Sequence, residues 1–319
     1  MGLFQTLRRS AAAVAQRARW VGIEDRGLVA LADTLAAGGE DLAGNDPIQR
    51  PRGDDASTLA FVLTLDAVNF GSGWFPHLRK RPGASGYFTI AGGLEAHFER
   101  HGPLDAAALA EIEADGCARI FGQHPASPPA SELMELFAQS WRDLGALVSA
   151  RFGGSFAALV EAGGQSAEGL IEILGSMPFY RDVERYEELD VPFYKRAQIT
   201  CTDLAGAFGG EGPGYFRDLD DLTIFADNLV PHVLRCEGVL DYDPELLARI
   251  NAGELIALGS SEEVEIRALA LHAVERLSAM LAARGKPMAP RRLDALLWHR
   301  GQAAAIKAEP RHRTRCTYY

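Results

Sequence analysis

Lysine is nearly missing from this 319-residue chain, which has four lysines against 28 arginines. A compact cationic point charge is therefore rare here, and a lysine in a patterned setting carries weight. Cysteine is sparse as well. Cys117, Cys201, Cys236 and Cys316 lie far apart with no C-x-x-C pair, so neither a zinc cluster nor a disulfide framework is indicated. Reduced thiols in a cytoplasmic protein are the expectation. No apolar run approaches the length of a membrane span. A basic excess is missing too. The net charge is −11, which argues against embracing a nucleic-acid backbone, because phosphate neutralisation needs a basic face. A small basic pocket inside an acidic shell fits that charge and suits a mononucleotide better than a duplex. P-loop, G-x-G-x-x-G and G-x-S-x-G strings do not occur.

What is present is an ordinary globular composition, 47% hydrophobic and 24% charged, with enough length to bury a sizeable core. Helical periodicity dominates. The first nineteen residues carry four arginines and no acid. An organelle-targeting peptide has that composition, but Leu3, Leu7, Ala11, Val14 and Ala18 along one side favour an amphipathic first helix. Met134, Phe137, Trp141, Leu144 and Val148 predict another helix between the prolines at 128 and 129 and Gly153. Ser260-Ser-Glu-Glu263 is a capping box, opening a helix with a buried face of Ile266, Leu269, Ala273, Leu277 and Met280, stopped by Gly285. A shorter helix starts at Asp243-Pro244.

Residues 59–65 read either as a short strand or as a buried helix. Residues 71–86 and 206–214 read as loops, and the polar stretch 38–56 as the best boundary. The expectation is a mainly α chain with at most a few short strands. An N-terminal helical segment and polar connection (1–55) would be integrated with a helical domain (56–319).

Chemistry-bearing residues concentrate in the C-terminal half. If Leu222, Phe225, Leu229 and Val233 line one helix, Asp227 lies off that stripe, and Pro231 kinks the helix beside it, a way to present a carboxylate to a cavity. Lys195-Arg196, between Tyr194 and Gln198, is a cationic pair in an aromatic setting, suited to a phosphate or to a solvated surface. Arg313, Arg315, Tyr318 and Tyr319 suggest that the last residues dock against the body. Nearer the N-terminus, Asp66, Asn69 and Phe70, followed by Gly71, Trp74 and Phe75, join hydrogen-bonding groups to rings, a set able to read and stack a planar base. A buried helix end capped by Asp66 is the plainer alternative. His97 and His101 are four apart with no third ligand, and read as structural.

At Phe152-Gly-Gly-Ser-Phe156, Tyr180-Arg-Asp-Val183, Phe193 to Ile199, Phe225-Ala-Asp227, Glu263-Val-Glu-Ile-Arg267 and the terminal tyrosines, the chain resembles the queuosine salvage proteins, the queuosine 5′-phosphate N-glycosylase/hydrolase family. The likeness runs from about residue 56 to the last residue. Asn69-Phe-Gly-Ser-Gly-Trp-Phe75 carries glycines where the family carries bulk, and the first forty residues match poorly.

The resemblance implies a mainly helical fold akin to helix-hairpin-helix DNA glycosylases, without their duplex-binding role. It implies hydrolysis of queuosine 5′-phosphate to release queuine, with no metal and no organic cofactor. Asp227 would be the catalytic aspartate. Asp66 and Asn69 with the neighbouring aromatics Phe70, Trp74 and Phe75 would recognise the base. Tyr194, Lys195 and Arg196 would lie in the substrate pocket, with Arg313 and Tyr319 as further substrate-side candidates. Asp182 and Asp203 are candidates for the cyclopentenediol amine. Two other readings stand beside it: a non-catalytic helical protein binding a nucleotide or modified tRNA, and a DNA base-excision glycosylase, which the acidic balance opposes.

Overall fold

The structure, a computed structural model, describes residues 2–38 and 53–319. Along the chain lie α1 (Leu3–Ala15), β1 (Val21–Ile23), α2 (Asp25–Ala37), α3 (Asp55–Asp66), α4 (Gly86–His101), α5 (Ala106–Ala110) and α6 (Ala114–Phe121). The long α7 (Ala130–Phe152) is followed by α8 (Phe156–Ala162), α9 (Ala167–Leu174), β2 (Val183–Tyr186), β3 (Leu189–Pro192) and α10 (Lys195–Ala207). Then come α11 (Val230–Cys236), β4 (Leu240–Tyr242), α12 (Pro244–Asn251), α13 (Ser261–Ala283), α14 (Pro290–Arg300) and α15 (Ala304–Ala308). The described chain is thus mainly α. Its four short strands pair as two antiparallel ribbons, β1 with β4 (Val21 opposite Tyr242) and β2 with β3 (Val183 opposite Pro192). The polar stretch 38–56 lies, for residues 39–52, outside the described residues.

The described residues divide into two units. Unit 1 holds residues 2–38, Asp182–Lys195 and Asp220–Arg315, and unit 2 holds residues 53–181, Arg196–Leu219 and Cys316–Tyr319.

Unit 1 is built around α13. The Ser260 hydroxyl accepts from the Glu263 amide, satisfying one of the orphan N–H groups of the first turn. The Glu263 carboxylate turns to the Gly259 amide and to Arg267. Every residue from Glu263 to Leu271 is buried, because α1, α2, α11 and α14 pack around this helix. Leu281, rather than the half-buried Met280, closes the expected stripe. On α1 the buried positions are Phe4, Leu7, Ser10, Ala11 and Val14, with Leu3 half-buried, and the half-buried Ala18 lies beyond the end of the helix. Each large apolar side chain so buried contributes about 1.5–3 kcal/mol, which fastens the N-terminal helix to α13. Asp243 caps α12 through the Glu245 amide, with Pro244 in the first turn.

Unit 2 is built around α7. Met134, Phe137, Trp141, Leu144 and Val148 are all 0% exposed, and Gly153 ends the helix in the left-handed region at φ 59°. The open question at 59–65 resolves as helix. The Asp54 carboxylate caps α3 at the Ser57 amide, and α3 is buried on every side from Thr58 to Asp66, so no period shows in its sequence. Trp141 Nε1 donates to the Thr64 carbonyl at 2.8 Å, tying α7 to α3. Among the described residues, no single helix is long and apolar enough to cross a membrane.

Candidate active site

The stripe through Leu222, Phe225, Leu229 and Val233 is not one helix. Residues 222–226 are buried and run without helical hydrogen bonding, and α11 begins only at Val230. Asp227 therefore precedes a helix rather than sitting inside a kinked one. Its Oδ1 accepts from the Leu229 amide at 2.8 Å and the Val230 amide at 3.0 Å. Pro231 occupies the first turn of α11, where its missing N–H and fixed φ start a helix instead of breaking one. Asp227 itself is half-buried, between buried neighbours on both sides.

The backbone around Asp227 is held on three sides. Arg267 Nε donates to the Ala226 carbonyl at 2.9 Å, Asp294 Oδ1 accepts from the Phe225 amide at 2.8 Å, and Asn228 Nδ2 donates to the His312 carbonyl at 3.3 Å. Arg267 is 0% exposed. It pairs with Asp182 Oδ2 at 2.6 Å and Glu263 Oε1 at 3.5 Å, with its guanidinium carbon 3.9 Å from the centre of the Phe193 ring. The same Asp182 oxygen accepts from the Lys195 amide at 3.0 Å, while the Asp182 carbonyl accepts from the Phe193 and Tyr194 amides. Tyr194 turns the chain from β3 into α10 at φ 47°, a left-handed conformation that a non-glycine residue adopts only when its surroundings hold it there. Asp182, a candidate for a substrate amine, is thus engaged with Arg267 and the α10 entry.

The charges of unit 1 converge on this segment. Burial and the neighbouring Asp227 charge push the Asp294 carboxyl up to about 8, and Lys195 opposes them. Lys195 itself is only 5% exposed. Arg311 lies within electrostatic range of Asp227. Burial, then Arg311, hold the His312 imidazole down to about 3, so it is uncharged. Arg313 instead donates to the Gly253 carbonyl at 2.5 Å, and its own carbonyl accepts from the Ile256 amide, which binds the last stretch of unit 1 to the α12–α13 loop.

In unit 2, Asp66 is the last residue of α3 and is fully buried. Arg196 NH1 donates to the carbonyls of Asp66 and Ala67, at 3.3 and 2.6 Å, and NH2 donates to the Phe179 carbonyl. The guanidinium also lies over two rings, 4.8 Å from the centre of Phe70 and 4.3 Å from that of Tyr180. It closes the C-terminal end of α3, where orphan carbonyls and the negative end of the helix dipole favour a cation. Phe70 packs edge-on against Phe137 and Phe179, so it is part of the core, 1% exposed. Trp74 is buried with Nε1 donating to Glu132 at 3.1 Å. Asn69 and Phe75 are half-buried. The buried Tyr319 docks as expected, its carbonyl accepting from the Gly71 and Ser72 amides. Gly71 sits at φ 104°, and a Cβ there would stand 2.6 Å from Leu133.

Within unit 1 the structure brings Asp227 and Lys195 each into electrostatic range of Asp294, and leaves Arg313 in a backbone contact. Within unit 2 it brings Asp66, Phe70 and Arg196 together. Sequence reasoning missed Asp294 and Arg311 entirely, since nothing local marks them, and Arg267 entered only as part of a string. The His97 and His101 rings lie 4.9 Å apart on α4, tilted by 40°, and among the described residues no group of three or more His, Cys, Asp or Glu is placed to hold a metal ion.

A family profile described as queuosine salvage protein matches residues 49–319. A protein of Sphaerobacter thermophilus named queuosine 5′-phosphate N-glycosylase/hydrolase is 42% identical over 272 residues, 83% of either chain. Proteins of the same name from Mus musculus and Bos taurus are 32% and 31% identical, covering 84% and 98% of this chain and the same shares of their own. With the profile spanning most of its length and relatives this similar over most of theirs, the chain belongs to the queuosine salvage protein family.

Proposed function

We propose that this chain hydrolyses the N-glycosidic bond of queuosine 5′-phosphate and releases queuine for reuse in tRNA modification. The observation that carries the reading is the placement of Asp227, a half-buried carboxylate on a segment pinned by Arg267 and Asp294, at the residue to which the family resemblance assigns catalysis.

Cleavage of the bond between ribose C1′ and the base nitrogen builds positive charge on the sugar. Asp227 stabilises that charge and orients the attacking water. Water oxygen bonds to C1′ as the C1′–N bond breaks. One water proton ends on the departing base, and the other stays in the new C1′ hydroxyl. The base is a 7-deazaguanine without a basic N7, so its departure depends on hydrogen bonds to the rest of the ring. Lys195 supplies a cation for the 5′-phosphate, whose binding energy positions C1′. Arg311, electrostatically coupled to Asp227, joins Lys195 as a phosphate candidate ahead of Arg313. A thiol-reduced cytoplasmic setting fits three buried cysteines and one exposed one, all unbridged.

The test is incubation of the purified protein with queuosine 5′-phosphate and chromatography for free queuine. Appearance of queuine supports the reading. Tight binding of the nucleotide with no queuine formed would replace it with a nucleotide-binding function.

A further inference from the structure

Asp294 belongs to the second turn of α14 and is 5% exposed. Its Oδ1 accepts the Phe225 amide proton at 2.8 Å, two residues before Asp227. Residues 222–226 have no helix of their own to take up their backbone donors, so this side-chain bond sets where the segment lies. We infer that Asp294 is a positioning residue of the reaction, a buried side chain that fixes the Phe225 peptide and through it the place of Asp227. The inference rests on the reading of Asp227 as the catalytic carboxylate.

Two observations support it. Burial, followed by the Asp227 charge, raises the Asp294 carboxyl to about 8, against the pull of the Phe225 amide and Lys195. Second, the charged and titratable groups on the helices packed against α14 are accounted for without Asp294. On α13, Glu262 pairs with Arg249, Glu275 with Arg8 and Arg276 with Asp25. Glu265 accepts the Arg19, Trp20 and Val21 amides, and burial and Arg276 hold the His272 imidazole down. On α11, His232 lies between the Ile306 carbonyl and Arg235. On α13, Arg267 and Glu263 pair with each other and Arg267 pairs with Asp182; at the end of α11, Glu237 pairs with Arg300 at 3.1 Å. Arg291, on α14 itself, pairs with Asp220. Asp227 and Lys195 are the charges that bear on Asp294. Ionising Asp294 places a second negative charge beside Asp227, draws Lys195 away from the substrate phosphate and repels that phosphate, so substrate binding weakens first.

Asp294→Asn keeps a carbonyl acceptor for Phe225 and cannot ionise; Asp294→Ala removes the acceptor. The expected result is a wild-type KM that climbs above a pH of about 8 and a flat KM in Asp294→Asn. At neutral pH, kcat falls about threefold in Asp294→Asn and about thirtyfold in Asp294→Ala. Superimposed KM profiles from an active wild type, or equal kcat in the two variants, overturn the inference while the proposed function stands. A stability measurement needs no turnover. Urea unfolding should show the wild type losing ground to Asp294→Asn as pH rises from about 4 to about 8. A pH-independent difference overturns the uncharged carboxyl. A wild type that releases no queuine overturns the proposed function instead, and the unfolding series still reads Asp294. If Asp294→Ala does not fold, the Asn variant alone decides.

Discussion

Arg267 grips the peptide joining Ala226 to Asp227, donating through Nε to the Ala226 carbonyl at 2.9 Å. The same guanidinium meets the buried carboxylates of Asp182 and Glu263. One side chain therefore connects α13, the start of β2 and the segment that carries Asp227. Removing it strands two buried carboxylates. Arg267→Ala is expected to destabilise the protein by about 3–5 kcal/mol. Equilibrium urea unfolding checks this, and a loss below about 1 kcal/mol would mean that the cluster rearranges at little cost.

Lys195 and Arg196 are neighbours with different work. Arg196 satisfies the carbonyls of Asp66, Ala67 and Phe179 and lies over the rings of Phe70 and Tyr180. Arg196→Met leaves buried carbonyls without that donor, and a loss of about 3 kcal/mol or more is expected. A lysine cannot span three acceptors with one ammonium, so Arg196→Lys recovers only part of it. Lys195→Met is expected instead to raise KM about tenfold with a small change in melting temperature. Thermal unfolding and steady-state kinetics on the same preparations separate the two, and a KM-selective effect at Arg196 would reverse the assignment.

How far the sequence reveals this molecule depends on how local each determinant is. The α7 stripe, the Ser260 cap and the Asp243-Pro244 start are read within a few residues, and they stand in the structure. Residues 222–233 mislead, because apolar spacing matches a helix stripe whether the segment is helical or, as here, irregular and buried at every position from 222 to 226. Pro231 gave the same ambiguity, since it kinks a helix interior but opens a first turn. Asp227 stands out as a candidate beside Pro231 and through the resemblance. Asp294 does not, for its partner Phe225 lies 69 residues away and no spacing rule reaches that far. Glu265 is similar. Its Oε2 accepts the amides of Arg19, Trp20 and Val21, and its Oε1 the Tyr186 hydroxyl, contacts spanning much of unit 1.

Glu184 provides a pH dependence with a definite sign. Burial, then Glu263, push its carboxyl up to about 7, although Arg267 opposes them. A carboxyl whose folded value lies above its unfolded one binds a proton more tightly when folded. Stability should therefore be greatest below about 4.5 and should decline as pH rises to about 7, then level off, as far as this group is concerned. Glu184→Gln cannot ionise and should escape the decline. Unfolding midpoints of both proteins from pH 4.5 to 8 check it, and parallel curves would show that Glu184 titrates as an ordinary surface acid.

Asp227→Asn is the sharpest variant for the proposed chemistry. The carboxamide retains an oxygen that can accept from the Leu229 and Val230 amides, so the α11 start is preserved and the melting temperature should move by only a few degrees. What is lost is the negative charge opposite the developing sugar cation. Because that charge acts mainly in the transition state, kcat should fall roughly a hundredfold or more while KM changes little. Binding of queuosine 5′-phosphate should persist by calorimetry, and queuine release by chromatography should nearly vanish. Release close to the wild-type rate in a folded Asp227→Asn protein would remove Asp227 from the mechanism, and with it the reason for the clamp that Arg267 and Asp294 place around its backbone.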